Sequence, residues 1–79
     1  MDVYLIQSIA SPSKRYVGLT TDLDRRLKEH NDGCSKSTKE NKPWRLVTYL
    51  KFDDDRKAER FEACLKQGSG YAFAKRHFW

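Results

Sequence analysis

Two short apolar runs near the start of the chain place the strongest limit on what it can fold into. Residues 3–6 and residues 16–19 are rich in side chains that favour β-strands. Residues 8–13, which include Pro12, have the composition of a turn. The runs therefore predict two neighbouring strands joined as a hairpin with a loose loop. Since the chain has only 79 residues, we expect the hairpin to belong to one domain over residues 1–79.

The remainder of the chain predicts one more strand and three helices. The first helix can be capped by Thr20, Thr21 or Asp22. In chain order, the predicted elements are a helix over residues 23–30, a surface loop over 34–43, a strand over 44–52, a second helix that begins after the acidic residues 53–55 and is ended by residues 68–70, and a terminal helix over 71–79. The order β-β-α-β-α-α predicts an α/β fold of the α+β type, a small sheet with helices packed on it.

The charge balance of the chain points to a polyanionic partner. The formal net charge is +5 and the sequence pI is about 9.4, which favours nucleic acid as that partner. Solubility alone is the other explanation of a basic chain, and the charge does not decide between the two. The aromatic content of 13% argues against a disordered chain, because such chains contain few aromatic residues.

The cysteines and the lack of a long apolar segment bear on the compartment. Cys34 and Cys64 lie far apart and form no C-x-x-C motif, so no zinc site is expected. The chain begins Met1-Asp2 without the pattern of a secretory signal, and no apolar run approaches the roughly 20 residues of a membrane span. We therefore expect a cytoplasmic protein with no membrane partner, whose cysteines are thiols.

The first predicted helix carries side chains suited to phosphate chemistry. Arg26 and His30 are spaced i, i+4 and share one face, and Glu29 can pair with Arg26 at i, i+3. The planar fork of an arginine fits phosphate oxygens, and a histidine exchanges protons near neutral pH. The alternative is a solvated helix face that holds one ion pair.

Two tyrosines and a glutamate are the other candidates for chemistry. Tyr4 and Tyr16 lie in predicted strands, where a tyrosine more commonly packs in the core with its hydroxyl at the edge. Glu62 lies beside the apolar face of the second predicted helix and is a candidate metal ligand. Two alternatives stay open: Glu62 is a rim residue paired with Lys66, or Glu59 is the ligand.

Several stretches in the same order resemble the GIY-YIG nuclease family, and most closely its small stand-alone bacterial members. Residues 16–18, Tyr-Val-Gly, differ by one residue from the family's Tyr-Ile-Gly. Residues 22–31 resemble the helix that follows this motif, and residues 43–47 and 61–70 resemble later segments. Residues 3–5, Val-Tyr-Leu, keep the tyrosine of the first half-motif but lack the Gly-Ile before it. The resemblance covers nearly the whole chain.

This resemblance implies a fold and an activity. The family's fold is a small three-stranded antiparallel sheet flanked by helices, in agreement with the element order predicted above. The family's activity is hydrolysis of phosphodiester bonds in DNA with one divalent metal ion, so the expected cofactor is Mg²⁺ or Mn²⁺. The expected partner is DNA, branched or damaged, in repair or recombination, and a protein partner is left open. A catalytically silent nucleic-acid-binding or accessory module of the same fold is the alternative.

The resemblance also assigns a role to each matched residue. Tyr16 is favoured as the general base, or as the group that orients the attacking water, and Tyr4 assists it through hydrogen bonds. Arg26 would stabilise the negative charge of the transition state, and His30 would transfer a proton or bind a phosphate. Glu62 would hold the metal ion.

Further residues are predicted to contact the substrate. Gly18 would let backbone or substrate come close to the turn. Lys36, Lys39 and Arg45 are the main candidates for a phosphate-binding rim, for which plain solvation is the alternative. Other basic residues that could extend the rim are Lys42, Arg56, Lys57, Lys75 and Arg76.

Overall fold

A computed structural model of the chain describes all 79 residues and shows one sheet flanked by helices. The strands are β1 (Asp2–Ser8), β2 (Arg15–Thr20) and β3 (Trp44–Lys51), and they pair antiparallel in the order β2-β1-β3. The helices are α1 (Leu23–Asn31), α2 (Asp55–Leu65) and α3 (Gly68–His77), with a short 3-10 turn (Lys39–Asn41) before β3. The predicted α+β fold with a three-stranded antiparallel sheet is confirmed.

The central strand β1 is buried on both of its faces. Val3 and Leu5 point to one side, where they pack with residues of α2 and α3. Tyr4 and Ile6 point to the other side and pack with Trp44 and with the leucines of α1. A strand covered on both sides requires a continuous apolar run rather than an alternating one, which is the pattern of residues 3–6.

Helix α1 covers its side of the sheet with few apolar residues. Leu23 and Leu27 pack against the cluster of Tyr4, Ile6 and Trp44. The Asp22 carboxylate accepts a hydrogen bond from the Arg25 backbone N–H at 3.1 Å, so Asp22 is the N-cap among the three predicted candidates. The narrow apolar stripe leaves the remaining faces of α1 available for polar side chains.

The connection between α2 and α3 differs from the prediction. Helix α2 ends at Leu65, and α3 begins at Gly68 instead of residue 71. Gly68 has φ +49°, a conformation that favours glycine and allows the tight turn. At Gly70, a Cβ atom would lie 1.8 Å from the Cys64 carbonyl oxygen. The prediction that residues 68–70 end the second helix was therefore wrong, because this segment packs the start of α3 directly onto α2.

None of the helices has both the length and the apolar composition needed to cross a membrane.

Candidate active site

The Tyr4 hydroxyl is the centre of a hydrogen-bonded cluster on the α1 side of the sheet. It lies 2.8 Å from Nε2 of His30, and Nε of Arg26 donates to it at 3.2 Å. A second nitrogen of Arg26 donates to the Glu29 carboxylate at 3.3 Å. Tyr4 and His30 are buried, whereas Arg26 is half-buried. The predicted Arg26–His30 face of the helix therefore meets a strand tyrosine, and the Arg26–Glu29 pair is present as well.

Gly18 makes room for the Tyr4 ring. The two residues are direct partners in the β1–β2 pairing. A Cβ atom on Gly18 would lie 2.5 Å from both the Tyr4 hydroxyl oxygen and the ring carbon that bears it. Any larger residue would displace the hydroxyl from Arg26 and His30. The close approach seen at Gly18 is thus that of Tyr4, and an approach of substrate stays a prediction.

Thr38 holds the far side of the His30 ring. Its hydroxyl lies 2.7 Å from Nδ1 of His30, and its carbonyl oxygen accepts a hydrogen bond from the Trp44 indole at 2.8 Å. Thr38 is fully buried, although it belongs to the polar segment that we predicted to run over the surface. Sequence reasoning missed this residue, since nothing in a lysine- and serine-rich segment marks one threonine as the partner of a distant histidine.

Burial favours the neutral forms of Tyr4 and His30. It lowers the pKa of His30 below the usual value, and the positive charge of Arg26 lowers it further. Burial also raises the pKa of the Tyr4 hydroxyl, an effect that the hydrogen bond from Arg26 partly offsets. The hydrogen bond to Tyr4 raises the pKa of Arg26, which keeps its charge. Both shifts favour a neutral imidazole beside a neutral phenol, so transfer of the phenol's proton to His30 is unfavourable unless the phenol gains another proton in the same step.

The hydrogen bonds allow two arrangements of protons. If His30 carries its proton on Nδ1, that nitrogen donates to Thr38 and Nε2 accepts from Tyr4. If the proton is on Nε2, the Tyr4 oxygen accepts it and the Thr38 hydroxyl donates to Nδ1. In the first arrangement Nε2 can take up the Tyr4 proton, and the Thr38 hydroxyl, which is able to donate or to accept, fits either tautomer.

Tyr16 lies next to this cluster, at the exposed edge of the sheet. Its ring centroid is 5.2 Å from that of His30 and 6.2 Å from that of Tyr4. On the opposite side, Nζ of Lys66 lies 5.9 Å from the Tyr16 ring centroid and 2.6 Å from the Glu62 carboxylate. Lys66 therefore links Glu62 to Tyr16 around the edge of β2. Arg26 and His30, by contrast, form their hydrogen bonds with Tyr4.

Glu62 is suited to a divalent cation only as a single ligand. No group of three or more His, Cys, Asp or Glu side chains is arranged to hold a metal ion. Mg²⁺ is commonly bound by one or two carboxylates, with waters and substrate phosphate as its other ligands, so one carboxylate fits this mode. The Glu62 side chain is 18% exposed and paired with Lys66, whereas Glu59 is exposed. The ion pair considered for Glu62 is present, and its metal role stays a prediction.

The basic residues predicted to contact substrate do not form one patch. Lys36 and Lys39 are exposed in the segment that carries Thr38, on the His30 side of the sheet. Arg45 is exposed on β3 and donates to the Gln7 side chain at 2.5 Å. Gln7 follows Ile6 in β1 and so points to the opposite face. The structure therefore separates Arg45 from Lys36 and Lys39, and their contacts with substrate stay predictions.

The lowered pKa of His30 predicts a stability that depends on pH. Below the usual histidine pKa of about 6.5, the unfolded chain binds a proton that the folded chain resists, so stability is lost as the pH falls. The loss begins near this value and levels off below the folded pKa. We expect the melting temperature to fall between about pH 7 and about pH 5, and to fall less in His30→Gln. An equal fall in both proteins would contradict a neutral buried His30.

The catalytic-domain model of the GIY-YIG family matches residues 1–74 of this chain. The chain belongs to the GIY-YIG family. The resemblance of its motifs to this family is thus confirmed, and Tyr4, Tyr16, Arg26 and His30 all lie within the matched residues.

The relatives of this GIY-YIG domain include much longer proteins. It is 33% identical over 82 residues to the structure-specific endonuclease subunit SLX1 of Candida dubliniensis, a match that covers 95% of this chain and 27% of that protein. It is 38% identical over 52 residues to the structure-specific endonuclease subunit of the same name in Talaromyces marneffei, which covers 60% of this chain and 13% of that protein. The chain spans well under half the length of both relatives.

Bacterial relatives are closer in size to this GIY-YIG domain. A UPF0213 protein of Clostridium perfringens is 38% identical over 53 residues, covering 66% of this chain and 57% of that protein. The solution NMR structure of a UPF0213 protein from Bacillus halodurans has a TM-score of 0.51 at 33% identity, covering 95% of this chain and 81% of that chain. The resemblance to small bacterial members agrees with both matches.

Proposed function

We propose that this chain is a metal-dependent nuclease that hydrolyses phosphodiester bonds in DNA. The observation that carries the proposal is the convergence of Arg26 and His30 on the buried Tyr4 hydroxyl, at 3.2 and 2.8 Å, in a member of the GIY-YIG family. A cation, a neutral proton acceptor and a hydroxyl held side by side can stabilise a charged transition state and move protons, and phosphodiester hydrolysis uses both effects.

The hydrogen bonds favour Tyr4 over Tyr16 as the group that receives the proton of the attacking water. Hydrolysis joins the water oxygen to phosphorus, breaks one phosphorus–ester oxygen bond, and moves a proton from the water to a base. In the proposed path, Tyr4 takes this proton while it passes its own to Nε2 of His30. The leaving oxygen takes a proton from solvent, and His30 later releases the one it gained. Tyr16, which is more exposed, orients the water.

Arg26 has two tasks in this scheme. Its guanidinium covers the Tyr4 hydroxyl, which belongs to a residue only 1% exposed. When a phosphate binds, the guanidinium turns towards the phosphate oxygens, which stabilises their growing negative charge and opens the hydroxyl to water. Binding of substrate and exposure of the proton acceptor are thereby coupled.

Glu62 would hold Mg²⁺ or Mn²⁺ at the edge of β2, beside Tyr16. When bound, the metal ion supplies polarisation of the phosphoryl group and stabilisation of the leaving oxygen. Lys66 neutralises the carboxylate in the structure and moves to the substrate phosphate when the carboxylate is engaged.

The relatives suggest the kind of DNA. Two of them are named structure-specific endonuclease subunits, so we propose branched DNA as the substrate and repair or recombination as the setting. A catalytically silent binding module is the second candidate. The observation that favours it is the ion pair with Lys66, which occupies the Glu62 carboxylate that would bind the metal ion. Activity of the purified chain on branched DNA distinguishes the two.

Glu62→Gln tests the metal site with Glu59→Gln as its matched control. Both glutamates lie on α2, and each substitution removes one charge with little change of shape. We expect Glu62→Gln to reduce Mg²⁺-dependent nicking of branched DNA at least 100-fold, because a neutral amide binds a hard cation poorly. Glu59→Gln should cut like the unaltered chain. The reverse result would assign the metal to Glu59, and full activity of both variants would contradict a carboxylate-bound metal on α2.

A further inference from the structure

A cleft of about 350 Å³ opens beside Tyr16, on the side away from His30. One wall is the outer edge of β2, which has no neighbouring strand. The other wall is the junction of α2 and α3, with Lys66 and Tyr71. Trp79 and Arg15 complete the lining. Since Tyr16 and Lys66 belong both to this cleft and to the Glu62 side of the candidate active site, the two are continuous.

The side chains of the cleft combine an exposed aromatic ring with positive charge. Tyr71 is 56% exposed, so most of its apolar ring surface is in contact with water and is available to a bound ligand. The Arg15 guanidinium lies 5.3 Å from the centroid of the Trp79 ring, which holds the charge in place at the rim. Arg15 forms no ion pair with an acidic side chain, unlike Lys66. An aromatic platform beside fixed cations is the chemistry that binds an unpaired nucleotide.

We propose that this cleft binds an unpaired nucleotide adjacent to the scissile phosphate. Its base stacks on Tyr71, and its own phosphate contacts Arg15. The inference rests on the proposed nuclease function and names the substrate class more closely: DNA with an unstacked nucleotide next to the cleaved bond. A branched or gapped DNA offers such a nucleotide without the cost of unpairing it, whereas an intact duplex does not.

The charge distribution favours a nucleotide over a peptide as the occupant. A peptide strand could add to the free edge of β2 by main-chain hydrogen bonds. Such a strand has no need of two cations and an aromatic ring, or of continuity with Tyr16 and Glu62. A nucleotide uses all of these, because its neighbouring phosphate would lie at the candidate active site.

The test measures binding in EDTA, where cleavage does not interfere. The probes are two DNA hairpins that each carry one 2-aminopurine. In the first hairpin the 2-aminopurine is unpaired beside a branch, and in the second it is paired within an uninterrupted duplex. The variants are Tyr71→Ser, the conservative Tyr71→Phe, and Tyr49→Ser as the matched control. Tyr49 is a tyrosine of similar exposure, 50%, on the other edge strand of the sheet.

We expect the unaltered chain to quench the unpaired 2-aminopurine and to bind that hairpin more tightly. Tyr71→Ser should weaken its binding about 5- to 100-fold and abolish the quenching, with little change for the paired hairpin. Tyr71→Phe and Tyr49→Ser should behave like the unaltered chain. Equal binding of both hairpins by Tyr71→Ser and the unaltered chain would overturn the proposal and leave a peptide as the alternative occupant. Selective binding without any cleavage in Mg²⁺ would contradict the proposed nuclease function alone.

Discussion

Arg26→Ala is expected to slow cleavage of branched DNA about 100- to 1,000-fold, the loss that follows removal of one preorganised charge stabiliser. The guanidinium is half-buried against the Tyr4 hydroxyl, so water screens its charge only in part, and in the proposed mechanism this charge would act on the reacting phosphate. Arg26→Lys should recover little of the rate, since an ammonium group cannot give the two parallel hydrogen bonds of an arginine fork.

Arg25→Ala is the matched control for this variant. Arg25 is the preceding residue of α1, is exposed, and makes its structural contribution through its backbone N–H to Asp22. The measurement is nicking of supercoiled and branched DNA in Mg²⁺ and in EDTA, with circular dichroism to verify the fold. If Arg26→Ala cuts as fast as Arg25→Ala, the Tyr4 cluster is not the catalytic site.

Gly70→Ala is expected to cause the largest loss of stability of any alanine substitution in the connection between α2 and α3. The added methyl group would lie 1.8 Å from the Cys64 carbonyl oxygen, which is backbone and cannot rotate away. Overpacking of this kind commonly costs about 1–3 kcal/mol, and a clash with backbone belongs at or above the upper end. For a domain of this size, we expect the melting temperature to fall by roughly 12–24 °C.

Ser69→Ala is the control for Gly70→Ala. Ser69 precedes Gly70 in α3 and is exposed, so its substitution should change the melting temperature by no more than about 4 °C. Thermal unfolding followed by circular dichroism compares the two. A Gly70→Ala protein as stable as Ser69→Ala would mean that α3 can move away from α2 without loss, in contradiction of the tight packing described here.

The elements that the sequence predicted well are those encoded by local pattern. Residues 3–6 form a continuous apolar run, and β1 is buried on both faces. The i, i+4 spacing of Arg26 and His30 fixes their common face once the helix forms, and both reach Tyr4. Helix caps depend on neighbours a few residues away, so Asp22 was among the residues predicted to cap α1.

The features that the sequence could not give depend on distant pairings. The fit of Tyr4 against Gly18 follows from the register of β1 with β2, which a hydrophobic pattern does not specify to the residue. The contact between His30 and Thr38 depends on the path of the segment before β3. To predict that His30 bonds to Tyr4 and not to Tyr16, one would need both this strand register and the path of this segment. Local pattern also misplaced the start of α3. A glycine that allows close packing cannot be distinguished by sequence from a glycine that ends a helix.

The strand order β2-β1-β3 has a consequence for how the protein folds. The hairpin of β1 and β2 and the following α1 join segments close in sequence, so they can form early. Pairing of β1 with β3 closes a much longer loop at a higher entropic cost. That loop carries Thr38, and its closure brings Thr38 to His30. Completion of the cluster around Tyr4 is therefore expected to coincide with the slow, long-range step of folding, so a chain that stops at the early hairpin has Tyr4 and Arg26 but no oriented histidine.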